Sequence, residues 1–87
     1  MPGEGLVEDL SPGGCRIMSL DTVKMGDDLE LHIFPDESQS ELFIQKAKVC
    51  WMRGQEFGVA FIAVQQDVLK RLIQVWGALD GEVTIGR

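Results

Sequence analysis

The chain has 87 residues, room for one small domain and not two. Eight Lys and Arg against 14 Asp and Glu give a net charge of −6. That weighs against a general nucleic-acid or acidic-membrane surface, because both need clustered cations.

Apolar residues make up 45% of the chain, as in an ordinary soluble globular protein. A domain of this size buries only about 60–65% of its unfolded surface, so its core is thin. Cys15 and Cys50 stand far apart and neither lies in a CxxC. With a single histidine there is no zinc set. Both cysteines read as reduced, small core residues. "MPGEGLVEDL" is acidic and lacks the apolar stretch of a secretory signal. No apolar run approaches the roughly 20 residues needed to cross a bilayer. The expected compartment is therefore the cytoplasm, where free thiols persist.

"GLVED" (Gly5 to Asp9) reads as a short strand and "GCRIMSL" (Gly14 to Leu20) as a second. In the second, Cys15 and Ile17 share one face, and Arg16 and Met18 the other. "DTVKMGD" (Asp21 to Asp27) is a connecting loop with Gly26 at a turn. "DLELHIF" (Asp28 to Phe34) alternates, with Leu29, Leu31 and Ile33 opposite Glu30, His32 and Phe34. That is the pattern of a half-buried antiparallel strand. "PDESQS" (Pro35 to Ser40) is a polar loop.

"ELFIQKAKVCWM" (Glu41 to Met52) predicts a long strand with Phe43, Ala47, Val49 and Trp51 on one face and Lys46 and Lys48 on the other. After an "RGQ" turn, "EFGVAFI" (Glu56 to Ile62) returns with Phe57, Val59 and Phe61 inward. The period then changes. Val68, Leu72, Val75, Trp76 and Leu79 fall on one helical face, predicting a helix over about 65–79. Asp67 near its start suits the helix dipole. Leu69 and Ile73 widen the apolar face beyond what a thin barrel covers. The tail over 80–87 holds "EVTIG", either a short strand or a frayed end. The expected fold is mainly β: a small antiparallel barrel of five to six strands with a C-terminal amphipathic helix, one domain over 1–87.

"DLSPGG" matches the D/NxSxxG motif of the PilZ domain family, with Asp9, Ser11 and Gly14 at its fixed positions. "AKVCWMRGQEFGVAF" (Ala47 to Phe61) resembles that family's long strand, turn and return strand, and the closing helix follows in the same order. The resemblance covers Gly5 to Leu79. It implies a six-stranded barrel and binding of the bacterial second messenger cyclic di-GMP. In the family, D/NxSxxG approaches a guanine, and an RxxxR motif ahead of the first strand grips phosphate and guanine. The local chemistry suits the first role. Asp and Ser side chains bond local backbone and can present oxygens to a ligand. Gly14 leaves room for a flat base, and Gly13 could supply a positive φ. The competing reading is that Asp9 and Ser11 only brace a turn.

The departure lies upstream. The first basic residue is Arg16, after the motif, and there is no RxxxR. The family's arginine segment and first barrel strand are expected to be missing from this chain. A replacement strand would come from the "EVTIG" tail or a second copy. Charge-assisted hydrogen bonds contribute about 1.5–3 kcal/mol each. Losing two arginines then removes about 10²–10⁴ in affinity. Arg16 is the nearest remaining cation, and Arg53 reads as a hairpin-tip residue.

His32 reads as a solvated strand residue, and Trp51 and Trp76 as core packing. Lys46 and Lys48 read as blunting an exposed strand. No nucleophile, base and orienter assemble, so no enzyme is expected. No cofactor is expected either; the candidate ligand is cyclic di-GMP. Two functions stand. One is a regulatory domain of cyclic di-GMP signalling with an incomplete site at Asp9, Ser11, Gly14 and Arg16. The other is a protein-interaction or oligomerisation module using Leu69, Leu72, Ile73 and Trp76, since a broad exposed apolar patch marks a partner surface. Neither nucleic acid nor membrane insertion is expected.

Overall fold

The computed structural model describes residues 3–35, 41–75 and 81–86. Its elements are β1 (Gly3–Ser11), β2 (Gly14–Met18), β3 (Asp28–Pro35), β4 (Leu42–Arg53), β5 (Glu56–Ala63), α1 (Gln66–Val75) and β6 (Gly81–Gly86). The strands close into one barrel in the order β1-β2-β5-β4-β3-β6. Every neighbouring pair is antiparallel. The expected fold class, a small antiparallel barrel of five to six strands with a C-terminal amphipathic helix, is the one observed, with β6 following the helix in the chain.

Closure depends on the tail. β6 runs beside β1 from Gly3↔Ile85 to Val7↔Gly81 and beside β3 from Glu30↔Gly86 to Pro35↔Gly81. Its alternation explains why it holds there: Val83 and Ile85 turn into the core and are buried. The chain's own "EVTIG" tail is thus a barrel strand and not a frayed end.

The inner face is continuous and aliphatic. Val7, Ile17, Leu31, Ile33, Leu42 and Ile44 are all buried, with Phe57 and Val59 from β5. Cys15 joins them as a small core residue. Val68 and Leu72 of α1 pack into the same core, where the helix lies against β1 and β4. Asp67 sits in the first turn of α1, as the dipole favours. Gly26 and Gly54 occupy turns at φ +84° and +62°, where a Cβ would be strained.

Several sequence expectations change. The alternation expected along β4 breaks twice. The β3–β4 register slips between Leu29 and Leu31, and the β4–β5 register slips between Val49 and Trp51. Each bulge turns the following residues to the other face. Leu42 and Ile44 therefore point inward instead of Phe43, and Trp51 lies on the outside; Cys50 is outside too, by ordinary alternation with the buried Val49. Cys50 is thus an exposed thiol and not a core residue. Leu72, a candidate for the interaction surface, is completely buried, because α1 uses that face to cover the barrel. Leu69 and Ile73 do remain exposed. Trp76 and the end of the expected helix over 76–79 lie outside the described residues, as does the 36–40 loop.

Lys46 and Lys48 face outward, and both reach Asp28, at 3.6 and 3.9 Å. His32 sits on the outer side of β3 with its Nδ1 2.5 Å from Glu41 Oε1. Its ring leans on Phe43 at a centroid distance of 4.8 Å. Among the described residues no helix is long and apolar enough to cross a membrane.

Candidate functional site

The site is the β1–β2 hairpin and the outer surface beside it. A regular turn pairing Ser11 with Gly14 would place Asp9 opposite Arg16. One extra residue in β1 prevents this, and Glu8 stands opposite Arg16 instead. The bulge needs a left-handed residue, and Asp9 supplies it at φ +52°. Aspartate tolerates that region better than most L-residues. The bulge has an electrostatic consequence, since it turns two consecutive carboxylates toward one guanidinium. Arg16 Nη2 lies 2.7 Å from Glu8 Oε2 and 3.0 Å from Asp9 Oδ2. Across the β2–β5 ladder, Arg16 Nε is 3.5 Å from Glu56 Oε2.

Partial desolvation works against the charge on Arg16, but Asp9, Glu8 and Glu56 outweigh it and hold its pKa above the ordinary value. The guanidinium is permanently cationic and already attended by three acids. One positive and three negative formal charges leave the cluster at −2.

Ser11 braces the turn. Its hydroxyl donates to the Gly14 carbonyl at 3.1 Å and accepts from the Gly13 N–H at 3.3 Å. The Gly13 carbonyl accepts from the Phe61 N–H at 2.9 Å, tying the turn to β5. Gly13 does not carry the positive φ that the sequence suggested; Asp9 does. Gly14 is required for a different reason. A Cβ there would stand 2.2 Å from the Val59 carbonyl oxygen. The space that glycine leaves is filled by the neighbouring strand.

The structure places Asp9, Ser11, Gly14 and Arg16 beside one another at the β1–β2 hairpin. It adds Glu8 and Glu56, which sequence reasoning missed. Glu8 was hidden by the bulge, and Glu56 by a strand pairing that no local pattern announces. Further along the same outer face, Arg16 pairs in register with Gly58, and Gly58 with Trp51. Arg53 ends β4 beside the Gly54 turn, as a hairpin-tip residue would. Leu69 and Ile73 belong to α1, outside this cluster.

The PilZ domain model matches residues 3–75, most of the chain. The chain belongs to the PilZ domain family. No curated protein and no solved structure matches it. PilZ domains are regulatory modules related to cyclic di-GMP signalling, and the D/NxSxxG residues of this one stand at its β1–β2 turn. The PilZ match ends at Val75, so the strand that closes this barrel, β6, lies beyond it.

Proposed function

We propose that this PilZ domain is a regulatory module of bacterial cyclic di-GMP signalling whose own turn binds the nucleotide weakly or not at all. The observation that carries this reading is the engagement of Arg16 by Glu8, Asp9 and Glu56. A phosphate arriving here meets a net negative cluster, and Arg16 Nη2 is already taken by Glu8 and Asp9, while its buried Nε, 3.5 Å from Glu56, makes no hydrogen bond. Ser11 and Gly14 support the same reading, since both are used in holding the hairpin. Nucleotide binding then requires cations from elsewhere, either an arginine segment joined ahead of Gly3 or a second chain.

Isothermal titration of cyclic di-GMP into the 87-residue chain at moderate salt tests this. The expected result is no saturable heat at micromolar nucleotide. An added upstream Arg-x-x-x-Arg segment should then produce binding. Micromolar binding by the unmodified chain, lost on Arg16→Ala, would overturn the reading.

The second reading is a non-nucleotide interaction or oligomerisation module on the same barrel. It is supported by the outward Leu69 and Ile73 of α1, 37% and 55% exposed. A rise in molecular mass with concentration, abolished by Ile73→Asp, would favour it.

A further inference from the structure

Four outward residues stand in a row across neighbouring strands. Phe34 of β3 is opposite Glu82 of β6, Glu82 is opposite Leu6 of β1, and Leu6 is opposite Met18 of β2. Direct cross-strand neighbours have Cβ atoms about 4.5–5.5 Å apart, so the row is one continuous surface. Phe34, Leu6 and Met18 are 43%, 53% and 41% exposed. Leu20, just beyond β2, is more exposed still. Together they border an open cleft of about 410 Å³.

The base of the cleft is fixed before anything binds. The Ser19 hydroxyl donates to the Glu4 carbonyl at 2.6 Å, and the Ser19 N–H donates to the Gln55 carbonyl at 2.9 Å. The Glu4 N–H donates to Asp21 Oδ2 at 2.9 Å. The charge is one-sided. Glu4 and Glu82 line the cleft, and no lysine or arginine does among the described residues. Glu82 sits between Leu6 and Phe34, a carboxylate set in an apolar strip.

We propose that this cleft docks an amphipathic, basic segment of a partner protein. Apolar side chains of that segment pack on Leu6, Met18 and Phe34, and a lysine or arginine meets Glu82. The closed barrel leaves no free strand edge among the described strands, so the partner binds through side chains and not as an added strand. An amphipathic helix presents that combination of apolar and basic groups. An acidic rim also disfavours an anionic lipid surface. The cleft lies at the far end of the β1–β2 hairpin from Asp9 and Gly14, so it does not depend on whether nucleotide binds.

The test is an amide-shift titration of the isotope-labelled chain with a Leu/Lys amphipathic peptide of about 14 residues. Its helix would be about 21 Å long, comparable with the 29 × 23 × 23 Å extent of the whole molecule. The control is a Leu/Glu peptide of equal length. Saturable shifts are expected at Leu6, Met18 to Leu20, Phe34 and Glu82 to Thr84 with the basic peptide only. Glu82→Lys should weaken binding about tenfold. Asp67→Lys changes the net charge equally at the start of α1 and should weaken it far less. Leu6→Ser should also weaken binding while the remaining amide spectrum stays that of the folded barrel. Shifts centred on Leu69 and Ile73, equal losses in the two lysine variants, or no saturable binding would overturn the proposal. Shifts at the cleft on dilution alone, without peptide, would overturn it in favour of a second copy.

Discussion

The indole of Trp51 lies over Gly58 on the outside of the barrel, so close that a Cβ on the glycine would come within 1.9 Å of Nε1. A large half-exposed aromatic thus covers a strand residue that has no side chain. Gly58→Ala should push the indole outward, since the clash is with a side chain that can rotate. The cost is about 1–2 kcal/mol. In a Trp76→Phe background, the Trp51 emission should move to the red as the ring enters water. Unchanged emission would mean that the ring does not pack on Gly58.

Gly14→Ala should cost more than Gly58→Ala. Its Cβ would meet the backbone carbonyl of Val59 at 2.2 Å, and backbone in a closed ladder cannot swing aside. Separating β2 from β5 disturbs the hydrogen bonds of both strands. A loss of about 3 kcal/mol is expected, which for a domain of this size lowers Tm by about 12 °C or more. Thermal unfolding of both variants by circular dichroism checks the order. The same result bears on function, because it assigns the motif glycine a structural reason independent of any ligand.

Asp9 has a backbone requirement that its carboxylate does not explain. At φ +52°, Asp9→Ala should cost about 1 kcal/mol, while Asp9→Gly and Asp9→Asn should fall within about 0.5 kcal/mol of the parent. Urea unfolding of the three variants separates the conformational effect from the charge. A similar loss in all three would mean that the ion pair with Arg16 dominates.

Much of this arrangement is legible in the residues, and the reasons for the rest are specific. The alternation of Leu29, Leu31 and Ile33 against Glu30 and His32 announces β3 because one face is buried and the other wet. The helix start shows in the change of period at Val68. The inner face of β4 is misread because bulges obey no two-residue rule; Trp51 leaves the core at one of them, whereas Cys50 faces out by ordinary alternation with the buried Val49. Asp9, Ser11 and Gly14 are found by their spacing, but what Arg16 does is not. Its partners Glu8 and Glu56 arrive through a register shift and a pairing between distant strands. Leu72 shares the Val68 face of α1 and Ile73 stands about 100° round from it, but how far the barrel covers that wide apolar face is decided only by packing against β1 and β4.

Those two helix residues give a matched pair of outcomes. Leu72 is fully buried, whereas Ile73 is 55% exposed. Leu72→Asp would bury an unpaired charge at about 4 kcal/mol or more, most of the stability of a small domain. It should therefore be largely unfolded at 25 °C by circular dichroism. Ile73→Asp should stay folded, with a change of about 0.5 kcal/mol. A folded Leu72→Asp would show that α1 does not cover the barrel core.

The two thiols should separate by reactivity and by pH. Cys50 is exposed and Cys15 is buried in the barrel. In the native protein, Ellman's reagent at pH 8 should titrate one thiol quickly, and the second only after denaturant is added. Burial pushes the Cys15 thiol up from its ordinary 9.0 to about 12. The fold therefore favours the neutral thiol over the thiolate. The sign follows: this contribution to stability is complete below about pH 9 and is lost as pH rises from there through about 12. Tm should fall across that window more steeply in the parent than in Cys15→Ala, which cannot form the buried thiolate. Equal slopes would place the alkaline loss in other groups, and fast reaction of both thiols at pH 8 would mean that the β2 side of the core opens readily.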